Sequence, residues 1–361
     1  MRRSFNTEMQ TLRDTEPRQC LRAFASLCLC VKTLCVATVV SSCATHAPFG
    51  EWRVEPVSEV ARPSDVAIQL SGIAWRGGDS YLAVDDTDTC LHPLTLAISH
   101  ADGSLPPDGV TLDSSPPLPL ADASDPEACV WDATAGTVWV ADEKLGVIRE
   151  HRLSDGAALR AVPVPASLQR PCNNLGLESL ALSPDGLTLW TANEDTLPAD
   201  GARGSATAGA LVRLVKYTRT MALGDWHEAG QWAYRADPLD SEPHPKAVSG
   251  VAELAVLPDG SLLVLERTFA VRRRIPSFEF RLYHADVSGA RELSGLASLQ
   301  DADVEPADKR LLYRSGAGFA NYEGMCLGPT LDDGSRVLVL VSDGGGSPLL
   351  LRSILTLRLR Q

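Results

Sequence analysis

One pattern, repeated five times, restricts this chain more than any other feature. A short apolar run meets a Pro-Asp-Gly or Gly-rich turn, a second apolar run follows, and acids stand where the pair ends and, in four of the five, where it begins. The clearest copy runs from Glu178 through Leu180-Ala-Leu182, the turn Ser183-Pro-Asp-Gly186 and Leu187–Ala192 to Asn193-Glu194. Pro184 presets φ at the second turn position and Gly186 tolerates positive φ, so the segment reads as a β-hairpin. Antiparallel pairing sets the start of its first strand beside the end of its second. Glu178 and Glu194 therefore share an edge.

Laid over this copy, the chain repeats. Asp125-Pro-Glu127 leads through a Gly136 turn to Asp142-Glu143, and Ala252-Glu253 through Pro258-Asp-Gly260 to Glu266-Arg267. Asn321-Tyr-Glu323 leads through Asp333-Gly334 to Ser342-Asp343, and a weaker copy runs from Ser71-Gly72 through Gly77-Gly78 to Asp85-Asp86. Hairpins repeated at intervals of 51 to 75 residues (Glu127 to Glu178, Glu178 to Glu253) fit small sheets arranged radially. The fold class expected is all-β, a single β-propeller. At roughly 45–50 residues per blade, the mature length suggests six blades. Leu355, Leu357 and Leu359 alternate with polar residues, a half-buried strand suited to closing the ring against one near Trp52–Val57.

The first 42 residues are expected to be a signal segment. Arg2, Arg3, Arg13, Arg18 and Arg22 precede an apolar run, Ala23–Val40, interrupted by Lys32. Val40-Ser-Ser-Cys43 resembles the lipobox of bacterial lipoproteins, with Cys43 as the lipidated first mature residue; Met9 is an alternative start. Soluble export and an uncleaved anchor are the alternatives, and Lys32 and the shortness of the run argue against the anchor. Residues 43–54 read as a short tether and 55–361 as the propeller, placed by this reading in the cell envelope. Removing residues 1–42 leaves 27 basic against 43 acidic side chains, which excludes non-specific nucleic-acid binding.

Acids converging on one rim suit Ca²⁺, which accepts several carboxylates in flexible geometry. The candidate ligands are Glu127, Glu143, Glu178, Glu194, Glu253, Glu323 and Asp343, with Asp142, Glu266 and the cluster Asp85-Asp-Thr-Asp88 on the same edge. Glu178, Glu323 and Arg267 are the catalytic candidates, Arg267 (with Lys144) as a partner for phosphate oxygens. The competing reading gives the acids to strand-end caps and salt bridges. His92 and His244 are the histidines within reach of the rim, and Arg272-Arg-Arg274 reads as a solvated loop. Cys90 lies just beyond one hairpin's end and Cys172 just before another's start, so both fall on the same face and are expected to form a disulfide in an exported chain. Cys129 and Cys326 fall within apolar runs. Residues 196–210 read as a mobile insertion, and 101–124 and 236–249 as Pro-rich connections. The nucleophile elbow, the phosphate loop and the zinc-protease helix motif are all missing.

The ordered set Asn173-Asn-Leu-Gly-Leu-Glu178-Ser-Leu-Ala-Leu-Ser-Pro-Asp-Gly, Glu253-Leu-Ala-Val-Leu-Pro-Asp-Gly with Glu266-Arg267, and Asn321-Tyr-Glu323-Gly-Met-Cys-Leu-Gly-Pro resembles the phytase-like (esterase-like activity of phytase) family over roughly residues 55–360. Ser179 and Ala128 stand where the family has Gly after Glu, and the first repeat lacks the acid. The resemblance implies an exported propeller with a hydrolase role on phosphate or carboxylate esters. A non-enzymatic envelope propeller that binds a small ligand or a protein is the other expectation.

Overall fold

Each hairpin of the sequence folds as the two innermost strands of an antiparallel sheet of four strands, five in the first blade, and five such sheets form the propeller. The computed structural model describes residues 51–61, 69–112, 116–169, 176–205, 207–238, 247–272, 275–300, 302–344 and 350–361. The signal segment, Cys43, Cys172 and His244 lie outside the described residues. No helix among the described residues is long and apolar enough to cross a membrane.

The chain opens on β1 (Arg53–Ala61). The first blade is β2 (Leu70–Gly77), β3 (Ser80–Asp85), β4 (Cys90–Leu96) and β5 (Val110–Leu112), with the two-residue β6 (Leu118–Pro119) also on β4. The second is β7 (Pro126–Asp132), β8 (Thr137–Asp142), β9 (Val147–Arg152) and β10 (Ala158–Val162). The third is β11 (Leu177–Leu182), β12 (Thr188–Asn193), β13 (Leu211–Thr218) and β14 (His227–Arg235). The fourth is β15 (Val248–Val256), β16 (Leu262–Arg272), β17 (Ile275–Asp286) and β18 (Asp308–Arg314). The fifth is β19 (Asn321–Thr330), β20 (Arg336–Asp343) and β21 (Ser353–Arg360), completed by β1 from the other end of the chain.

Arg53 pairs with Arg360 and Ala61 with Ser353, so the expected closure of the ring between the terminal strands is present. The innermost strands β2, β7, β11, β15 and β19 pack in a closed circuit. The apolar core follows that geometry. Five of its six clusters are each wedged between two adjacent blades, such as Ala128, Trp139, Leu180 and Leu189 between the second and third.

Six blades were expected and five are found. The hairpin count was the better guide, and the length estimate failed because residues expected to form a sixth blade are used elsewhere. β16 and β17 have 11 and 12 residues, and residues 287–300 of the long connection fold back so that Leu293 and Leu299 bury against Leu211 and Ala233. The segment 196–210 is likewise pinned. Asp200 forms a fully buried ion pair with Arg213 at 2.7 Å and accepts the Leu299 N–H at 2.9 Å. Asp195 accepts from Arg203 and from Gly204 N–H.

Packing of the inner strands is tight enough to select glycine. A Cβ on Gly324 would sit 2.7 Å from Ser71 O and 2.9 Å from Gly72 Cα on the adjoining blade. Gly324→Ala is therefore expected to cost about 1–3 kcal/mol, as overpacking does, read as a lower urea midpoint with unchanged m-value.

Candidate functional site: an acidic pit at the strand-start end

The register between the first two strands of every blade slips near the same place. The slip falls between Leu70 and Gly72, Pro126 and Ala128, Leu177 and Ser179, Val251 and Glu253, and Tyr322 and Gly324. Such β-bulges leave one extra residue and re-aim its side chain. The extra residues are Ser71, Glu127, Glu178, Ala252 and Glu323. Three of five bulges thus present a glutamate at the same end of the ring, each half-buried.

Glu253 is one position out of step with these three. It occupies the slot filled by Gly72 and Gly324 in other blades, is buried, and accepts the N–H of Leu180 at 2.8 Å and of Leu254 at 2.9 Å. Its carboxyl thereby ties the fourth blade to the third. Burial drives its pKa well up, against the two N–H groups it accepts.

Around Glu127, Glu178 and Glu323 the ends of the second strands supply Asp86, Glu143, Glu194 and Arg267, and the loop before β7 supplies Asp125. Arg267 reaches across two blade interfaces: one guanidinium nitrogen donates to Glu194, the other to Glu323. Asn321 steadies the second contact, its Nδ2 donating to Glu323 at 2.8 Å. Glu143 accepts the Gly176 N–H at 2.8 Å. One oxygen each from Asp86, Asp125 and Glu127 lie within 4.8 Å of one another.

Electrostatics follow from this crowding. Burial, then repulsion from Asp86, Glu143 and Asp125, raises the Glu127 pKa, with Arg267 opposing. Burial and the charges of Glu127, Glu194 and Glu143 do the same to Glu178. Burial raises Glu143 too, against the Gly176 hydrogen bond, with Glu194 and Asp125 adding repulsion. Asp86 is lifted to about 6 by burial and by Asp343. Burial alone would lower the Arg267 pKa, and Glu194, Glu178 and Glu127 outweigh it. A pit of mutually repelling carboxylates around a guanidinium retains protons near neutrality or takes up cations in their place.

Of the residues singled out from sequence, Glu127, Glu143, Glu178, Glu194, Glu323 and Arg267 are brought together, and Asp343, paired in register with Asn321 and acting on Asp86, lies at the same edge. Others serve the fold. Asp142 caps the strand end, accepting from Ser124, Asp125 and Leu145 N–H groups. Asp85 accepts from Gln69, Thr87 and Asp88 N–H groups and lies 3.5 Å from His92, whose ring also contacts the Cys90 thiol at 3.3 Å. Glu266 turns away to Lys309, Tyr234 and the Asp237 N–H. Lys144 is exposed, and Arg272 ends β16, with 273 and 274 outside the described residues. Cys90, Cys129 and Cys326 are free thiols among the described residues.

Of the pit's members, Asp86 was read only as part of a cluster on the same edge, and Asp125 was absent from the candidate ligands. Their signals were in the sequence: Asp86 within Asp85-Asp-Thr-Asp88, and Asp125 two residues before Glu127.

A family model described as phytase-like, esterase-like activity of phytase, matches residues 68–344. No curated protein matches the chain. Among solved structures, the chain is similar to a nidogen/laminin complex (11% identity, 78% of each chain covered, TM-score 0.39). It is also similar to a PQQ-bound aldose sugar dehydrogenase from Streptomyces coelicolor (13% identity, 87% of this chain and 100% of that one, TM-score 0.38). A streptogramin B lyase is a third (11% identity, 85% and 98% covered, TM-score 0.33).

Proposed function

From the premise that the chain belongs to the phytase-like, esterase-like family, we propose that it is an exported, lipid-anchored hydrolase of phosphate or carboxylate esters, working at the acidic pit with bound Ca²⁺. The observation that carries this reading is the convergence of three bulge glutamates, Glu127, Glu178 and Glu323, with Asp86 and Asp125 around Arg267. The donor set fits the ion: all are hard carboxylate oxygens, and the Asp86–Asp125–Glu127 trio is close enough to share one cation. When bound, the cation supplies Lewis-acid polarisation of the ester and a lowered pKa for water.

The chain's own residues do the rest. Arg267, already oriented by Glu194 and Glu323, presents a planar donor pair suited to phosphate or carboxylate oxygens. Glu178, whose pKa is raised by burial and by the charges of Glu127, Glu194 and Glu143, takes the role of general acid toward a leaving alkoxide. Glu143, fixed through Gly176 N–H, adds negative charge that keeps the Glu178 proton in place. Export and anchoring rest on the basic-apolar segment and Cys43.

Calorimetry with Ca²⁺ on the mature domain, wild type and Glu127→Ala, is the test, followed by p-nitrophenyl phosphate and acetate turnover with and without chelator. Expected is Ca²⁺ binding weakened at least about tenfold in the variant, an effect the size of one lost charged contact, and chelator-sensitive turnover abolished with it. Ca²⁺ binding with no turnover of any ester would leave a binding propeller. No binding at millimolar Ca²⁺ would sink the calcium reading.

A further inference from the structure

At the end of the channel opposite the acidic pit, the turns of the inner hairpins surround a second cavity of about 300 Å³. That volume is at the low end of small-molecule sites, roughly 300–1,000 Å³. Its floor is apolar, made by inner-strand residues such as Leu180, Leu254 and Met325, and Trp75 and Trp131 stand half-exposed in its wall.

The wall also carries two arginines, Arg76 and Arg336, in a chain of net charge −13. Among the described residues neither has a carboxylate partner. Arg76 is exposed and stacks 5.0 Å over the Trp131 ring. Arg336 Nη2 donates to Gly328 O at 3.1 Å, while its buried Nε meets no acceptor. Asp132, an acid that also lines the cavity, is saturated by Arg219 at 2.6 Å, Thr134 Oγ1 at 2.6 Å and Trp139 Nε1 at 3.3 Å. A partly buried guanidinium with an unmet N–H beside an apolar floor is an expensive arrangement unless an anion completes it, and the exposed Arg76 adds a second positive charge at the mouth.

We propose that this cavity is a binding site for a small amphipathic carboxylate, its apolar body seated among the inner strands between Trp75 and Trp131 and its carboxylate at Arg336 and Arg76. The site is separate from the pit, is formed by different ends of the same strands, and selects ligands of the opposite kind, anions with an apolar body in place of cations.

Octanoate is the probe and octan-1-ol its uncharged control, each titrated calorimetrically into the mature domain and into R336M and R76Q. Octanoate is expected to bind wild type, with affinity reduced about tenfold in R336M and several-fold in R76Q, the scale of losing a charge-assisted hydrogen bond. Octanol binding should be the same in all three proteins. Octanoate bound equally by all three, equal losses for octanoate and octanol, or no heat at millimolar octanoate would each overturn the proposal. Should R336M fail to fold, R76Q decides alone, because Arg76 is exposed and contributes no ion pair to the fold.

Discussion

Replacing Arg267 with methionine is expected to cost about 3–5 kcal/mol of folding stability at pH 8 in chelator, the usual penalty for removing one partner of a buried ion pair. Arg267 is 18% exposed, and its partners Glu194 and Glu323 are 6% and 16% exposed, so little water is available to replace it. Without it, Glu127, Glu178, Glu194 and Glu323 face one another with no cation between them. Methionine keeps most of the side-chain volume, so the loss reports charge more than packing.

Acid titration provides the internal control. Lowering the pH to 5 lets the crowded carboxylates take up protons, and the deficit of R267M should shrink. Ca²⁺ should also narrow the gap, because a divalent ion supplies the missing positive charge. Lysine at this position keeps the charge but not the planar fork, so R267K should fall between wild type and R267M. Urea unfolding at both pH values reads all of this. An R267M protein as stable as wild type at pH 8 would mean that the acids do not depend on Arg267.

Much of this architecture was legible because a propeller repeats its local chemistry. Ser183-Pro-Asp-Gly186 forms the expected turn, with Gly186 at φ 70° and its N–H on Ser183 O at 2.8 Å. The acids at the ends of Leu177–Asn193 do meet at one edge. What the sequence hid was register. Glu253 and Glu323 look equivalent when each is aligned on the acid, yet the bulge falls on Ala252 in one blade and on Glu323 in the other. One residue of slip sends a carboxylate from the rim into the contact between blades.

Distance along the chain hid the rest. Nothing near Asp86 announces that Asp125 and Glu127 of the next blade lie against it, and nothing in Glu266-Arg267 says which of the pair faces the pit. The strand answers that: Glu266 and Arg267 point to opposite faces, and only Arg267 turns inward. Blade number failed for a similar reason, since length does not reveal whether residues such as 287–300 form strands or fold back as a brace.

Asp86→Asn separates proton crowding from metal binding. Asp86 has a pKa of about 6 in the folded protein against an ordinary 3.8, so the folded state holds its proton more tightly than the unfolded chain. A raised pKa adds stability that is complete below the unfolded value and is lost as pH rises through the folded one. In chelator, wild type should therefore lose about 2–2.5 kcal/mol from this one group between pH 4 and pH 8. Asparagine is neutral throughout and can still accept from the Thr87 hydroxyl, so D86N gains on wild type by that amount as pH rises. Buried His151 and His284, whose lowered pKa values act in the opposite direction, cancel in the difference between the two proteins, being distant and shared. Adding Ca²⁺ at pH 8 should reverse the order. Wild type regains stability as the ion replaces the proton, by about 2.7 kcal/mol at a hundredfold excess over Kd, and D86N, which lacks one carboxylate charge of the trio, responds far less. A stability difference independent of pH would show that Asp86 is as well solvated as a surface carboxylate. A pH-dependent difference with equal Ca²⁺ responses would keep the crowding and remove Asp86 from the cation site.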